Sequence, residues 1–118
     1  MAANEIEKAL SLQAKVSRTA GEPRKTPTGI PLDGLNRETY CSFELSKGDD
    51  LRLAADIAQW NRRLMEKRAF FEVFAKSGGR MEYFLGLFLE GNSGIDLPPD
   101  EMELMRQLGI TLSLDIYP

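Results

Sequence analysis

A chain of 118 residues can bury a hydrophobic core without a metal or a disulfide to hold it. Its apolar fraction of 42% and aromatic fraction of 8% exclude disorder throughout the chain, and 15 Lys plus Arg against 18 Asp plus Glu leave a net charge of -3. That sign opposes the diffuse attraction that draws proteins to nucleic acid or anionic membranes, and the basic runs Arg24-Lys25, Arg62-Arg63 and Lys67-Arg68 are short.

Residues 4 to 16 place Ile6, Ala9, Leu10, Ala14 and Val16 at loosely helical spacing. Glu5 and Glu7 stand where a helix dipole favours acids, so one short helix ending near Leu10 or Leu12 is predicted. Thr19 to Gly34 then holds three prolines and three glycines in sixteen residues, which excludes both a long helix and a central strand. From Tyr40 the pattern alternates, with Cys41, Phe43 and Leu45 predicted inward, until Lys47-Gly48 breaks it. Leu51, Ala54, Ala55, Ile57, Ala58, Trp60, Leu64 and Met65 form the stripe of the most clearly marked helix, which Asp49 or Asp50 can cap.

Ala69 to Ala75 reads as a strand, with Phe71, Val73 and Ala75 on one face and Phe70, Glu72 and Phe74 on the other. The turn Ser77-Gly78-Gly79 would join it in a hairpin to a second strand, Met81 to Leu89. That second strand is apolar on both faces around Phe84 to Leu89, which predicts a central or doubly covered position. Gly91 to Gly94 is punctuation. Pro98-Pro99 opens a helix with Asp100 and Glu101 in its first turn, Met102, Leu104, Met105 and Leu108 as its buried side, and Gly109 as C-cap. Ile110, Leu112, Leu114 and Ile116 then alternate with Thr111, Ser113, Asp115 and Tyr117, a half-buried strand. The succession from Tyr40 is β-α-β-β-α-β, which predicts an α+β, ferredoxin-like split sandwich in one domain. Residues 1–39 would be a short helix and an irregular extension, and 40–118 the core. Two helices on one face leave the other face open unless residues 1–39 fold over it; Phe70, Phe74 and Tyr83 toward that side would form an interaction surface for a homodimer or a protein partner.

The run Gly21-Glu22-Pro23-Arg24-Lys25-Thr26-Pro27-Thr28-Gly29 leads to Tyr40-Cys41-Ser42-Phe43 and a helix from about Asp50-Leu51. With the ending Leu108-Gly109-Ile110-Thr111-Leu112-Ser113-Leu114-Asp115-Ile116-Tyr117, it resembles a bacterial family of small proteins, domain of unknown function 4279, over most of the sequence. The resemblance implies that an initial strand before Ile6 to Leu12 is lacking or that the chain begins just after it, and family members tend to carry Trp where Cys41 stands here. It implies a domain and no mechanism, because the family brings no established activity. Some small acidic proteins of this general kind serve as immunity or antitoxin-like partners.

There is one cysteine and no histidine, which removes an intrachain disulfide, a multi-thiolate metal site, the usual general base and most zinc sites. This weighs against an enzyme, while catalysis by carboxylates or lysines stays open. Arg24, Lys25, Thr26 and Thr28 could gather an anion beside backbone amides, although the segment lacks the spacing of a phosphate loop. Asp49-Asp50 and Asp96, Asp100, Glu101 and Glu103 read better as caps and solvated helix faces than as an acid-base pair. Asp96, Gly91 to Gly94 and Asp100 lack the ligand ladder of a calcium loop, so no metal or cofactor is expected. Cys41, in an inward set, reads as a small apolar group, and Trp60 beside its basic neighbours reads as a helix end rather than a nucleic-acid site. Acids precede any apolar stretch at the start and the longest apolar run, Phe84 to Leu89, cannot span a bilayer, so a cytoplasmic protein is expected. Two function classes follow: a protein-interaction or structural module first, and a small-molecule or anion-binding protein or carboxylate enzyme second.

Overall fold

The computed structural model describes residues 1–46, 52–88 and 94–117, with Phe88 described by its backbone alone. Two compact units divide the chain, Met1–Glu44 and Leu45–Pro118. Asp49, Asp50 and the Gly91 to Ser93 punctuation lie outside the described residues.

In the first unit, helix α1 spans Ala3–Leu10 and buries Ala3 and Ile6, one turn apart on one face. It ends at Ser11 in the left-handed conformation, φ 55°. Two short antiparallel ladders follow: β1, Val16–Arg18, pairs with β4, Tyr40–Ser42, and β2, Pro23–Lys25, pairs with β3, Pro31–Leu35. The Gly/Pro-rich stretch, expected as an irregular extension, folds as an exposed hairpin with an irregularity between Pro23 and Lys25. Threonines tie the segments together. Thr19 Oγ1 accepts the Ala3 amide at 3.0 Å, and Thr39 Oγ1 accepts the Ala20 amide at 3.0 Å while donating to the Met1 carbonyl at 2.7 Å.

The second unit opens with α2, Leu53–Met65, whose buried Leu53, Ile57, Asn61 and Leu64 recur every three or four residues. After α3, Arg68–Lys76, strand β5 spans Met81–Phe88, helix α4 spans Pro99–Leu108 and strand β6 spans Ile110–Tyr117. α4 buries Glu101, Met105 and Leu108 against α2 and closes on Gly109 at φ 71°. β5 and β6 run parallel in one unbroken register, Met81 beside Ile110 through Phe88 beside Tyr117, with α4 in the crossover between them. Met81, Tyr83, Leu85 and Leu87 therefore share a face with Ile110, Leu112, Leu114 and Ile116.

The fold is mixed α and β, but its strands form three separate two-stranded ladders, and no four-stranded sheet is present among the described residues. The expected strand from Ala69 to Ala75 is a helix instead, and no hairpin joins it to β5. Period-two alternation and helical spacing coincide over so short an apolar run. Side-chain stacking decides it: Phe70 and Phe74, four residues apart, stack with ring centroids 5.6 Å apart on one helical flank. Arg68 Nε also donates to Glu72 Oε1 at 3.1 Å, a pair that only helical spacing brings together. β5 is not covered on both sides, since Phe84 is 60% exposed.

Candidate functional site

The four residues read as an anion site sit at the tip of the β2–β3 hairpin, where the turn uses their polar groups. The Thr26 amide donates to the Ile30 carbonyl at 2.8 Å, the Gly29 amide to the Thr26 carbonyl at 2.9 Å, and the Ile30 amide to Thr26 Oγ1 at 3.0 Å. The hydroxyls of Thr26 and Thr28 are 3.1 Å apart, and Arg24 folds back to donate to the Asp33 carbonyl at 3.0 Å. Arg24, Lys25 and Thr28 are exposed and Thr26 is half-buried. The amides of Thr26, Gly29 and Ile30 are thus spent within the turn.

Phe70, Phe74 and Tyr83 are not gathered on one open face. Phe70 and Phe74 are half-buried on α3, and a Cβ at Gly79 would overlap the Phe74 ring, so the turn after the helix closes against that ring. Tyr83 is a correction: it points into the core, 7% exposed, because β5 alternates and its odd-numbered residues face the helices. There its hydroxyl donates to Asn61 Oδ1 at 2.7 Å. The Asn61 amide in turn lies 3.3 Å from both the carbonyl and Oε1 of Glu101, and Arg62 approaches Glu101 Oε2 at 3.8 Å. Burial first, and the Glu101 charge second, push the Tyr83 phenol well above its ordinary value of 10.0. This cluster was not legible in advance, although an Asn on the apolar stripe of α2 was its one trace. Its members are mutually bonded, a buried polar cluster that ties α2, β5 and α4 to one another.

Glu101 also lines an open depression of about 560 Å³ with Ala54, Ala55, Ala58, Asp96 and Leu97. The Glu101 carboxylate there is already engaged by Asn61 and Arg62, while Asp96 is exposed among small apolar walls. The basic residues of α2 have partners as well: Arg63 stacks over Trp60 at 4.1 Å, and Arg62 donates to the Ala58 carbonyl at 3.0 Å. Cys41 is half-buried with its thiol 3.7 Å from the Ala3 carbonyl, and burial together with Glu7 raises its pKa, which disfavours the reactive thiolate. Among the described residues no cluster of acids and cysteine is arranged to hold a metal, and no helix is long and apolar enough to cross a membrane.

What stands out is the outer strand of the parallel ladder. Leu85 of β5 is 8% exposed, but its ladder partner Leu114 is 49% exposed and Ile116 is 56% exposed, so the core lies over β5 and thins out across β6. Half of the strand predicted to face inward therefore faces solvent. On the opposite face Phe84 and Tyr117 are exposed too. β6 carries one charge, Asp115, and no lysine, proline or register shift along its eight residues. Those are the devices by which proteins blunt an edge. Parallel ladders are ordinarily buried on both faces, and a two-stranded one is marginal alone. No family model, curated protein or solved structure matches this chain.

Proposed function

We propose that the protein is a protein-interaction module whose docking element is β6, which takes up an extended strand at its outer edge. One observation carries this reading: among the described residues, the eight-residue strand Ile110–Tyr117 belongs to a ladder of two strands and displays Leu114 and Ile116 to solvent. Strand addition supplies what such an edge lacks. Main-chain hydrogen bonds give the affinity, and alternate side chains on each face give the selectivity. The ending Leu108 to Tyr117, which carries the resemblance to domain of unknown function 4279, contains this strand, and membership of that family is part of the same proposal. An immunity-type or antitoxin-type partner is one role such an edge could serve.

The test is a titration of the nitrogen-15-labelled protein, at low micromolar concentration, with a panel of extended apolar peptides of strand length. Amide shifts and slowed exchange confined to residues 110–117 and the adjoining β5 positions are the expected result. A panel that leaves these amides untouched at millimolar peptide refutes strand addition.

A further inference from the structure

We infer that the strand received at this edge is β6 of a second copy of the chain, paired antiparallel across a two-fold axis through Ser113; the inference rests on the docking reading above. With the axis at Ser113, Leu114 lies opposite Leu112 of the other copy and Ile116 opposite Ile110. Both exposed apolar side chains on the core-side face then gain apolar cross-strand neighbours. On the other face Thr111 lies opposite Asp115 and Ser113 opposite itself, so polar positions meet polar positions. A shift by one residue toward Leu112 leaves Ile116 without a neighbour on the same face.

Charge selects among the remaining registers. The only charge on β6 is Asp115. With the axis at Ser113 the two copies of Asp115 are four residues apart along the strands, about 14 Å at strand rise, beyond the screening length in physiological salt. An axis at Leu114 halves that separation, and parallel in-register pairing would stack the two carboxylates at about 4.8 Å. The Asp115 carboxylate meanwhile accepts the Tyr117 hydroxyl at 2.6 Å within its own chain.

Symmetry points the same way, and area sets the strength. Joining β6 of one copy to β5 of the next is head-to-tail and leaves free edges unless a ring closes, whereas β6 on β6 closes at two copies and consumes the β6 edge. β5 is also the poorer edge, since it carries Glu82 and, at Gly86, no side chain to pack. One strand a side falls short of the roughly 800 Å² per partner of a standard interface, so the dimer belongs with the weak, concentration-dependent class.

Sedimentation velocity on the full chain, from micromolar to millimolar, should show a mass rising toward twice 13.2 kDa. Leu114→Lys, at an exposed position, should weaken that association by at least about tenfold while leaving the circular dichroism unchanged. A Ser113→Cys variant in a Cys41→Ser background reads the register directly. Facing Cα atoms in an antiparallel pair are about 4.5–5.5 Å apart, within disulfide reach. Oxidation should therefore link Ser113→Cys copies efficiently and Asp115→Cys copies hardly at all. This arm holds even if Leu114→Lys disturbs folding. A dimer that links through Asp115→Cys and not through Ser113→Cys overturns the inferred register. A monomer at millimolar whose β6 amides respond to the peptide panel overturns the second copy as occupant and leaves the docking reading standing. A monomer whose outer β6 amides are already protected gives the edge to the same chain and overturns both. A monomer whose unprotected β6 amides ignore the panel also overturns both.

Discussion

Asn61 is the side chain on which the second unit's interior depends, and replacing it with leucine is the sharpest test of that packing. Asn61 is 0% exposed and serves two partners on different elements, Tyr83 on β5 and Glu101 on α4. The 2.7 Å contact with Tyr83 is the strong one, whereas the two 3.3 Å contacts with Glu101 are at the long end of hydrogen bonding. Leucine is close in volume, so the cavity contribution is small and the polar contribution dominates. It strands a buried phenol and deprives a carboxylate of a donor, at about 1–3 kcal/mol each and more for the charged group. The expected loss is about 3–5 kcal/mol, against the roughly 5–15 kcal/mol that holds an ordinary domain folded. Urea unfolding followed by the fluorescence of Trp60, the one tryptophan, measures it. Adding Tyr83→Phe to Asn61→Leu removes the stranded hydroxyl and should restore about 1–2 kcal/mol, a non-additivity expected only of side chains in direct contact. A single variant within 1 kcal/mol of the parent, or strictly additive effects, would refute the account.

Two further outcomes follow from the same core. Gly79 does not sit at positive φ, so Gly79→Ala costs stability through overlap with the Phe74 ring alone, about 1–3 kcal/mol, and pairing it with Phe74→Leu should recover part of that loss. Equal urea midpoints for Gly79→Ala and the parent would show that the ring moves aside freely. Tyr83 makes stability depend on alkaline pH: folding raises its pKa above 10.0, so the folded state holds the proton longer than the unfolded chain. Its contribution is complete below about pH 10 and falls as the pH rises further. Tyr83→Phe should flatten that decline. Tyr117, raised by its bond to Asp115, contributes a smaller slope in both proteins, and identical slopes would refute the assignment to Tyr83.

Residues with a single dominant signal were legible in order. Pro98-Pro99 and Gly109 bracket α4, the stripe through Ile57 and Leu64 marks α2, and three prolines keep residues 19–34 out of a long helix or a central strand, although the β2–β3 pairing itself was not legible. The run around Phe70, Phe71 and Phe74 was misread because apolar residues at adjacent positions satisfy periods of two and of 3.6 alike. That error removed the helix, invented a hairpin, and set β5 beside the wrong neighbour. The candidate site suffered for a related reason. Alternation in β6 names a face, but whether that face is covered depends on how far α4 and α2 extend over the sheet.

The chemistry of the backbone and the local order of side chains thus marked α1, α2, β5, α4 and β6 along the chain and gave β6 two unlike faces. Tertiary structure decided which strands pair, that the pairing of β5 and β6 is parallel, that Tyr83 turns inward to Asn61 and Glu101, and that Leu114 and Ile116 are left in water. The reason is one of range: capping, turns and periodicity act over a few residues, whereas burial is a sum over neighbours that the chain brings together from far apart.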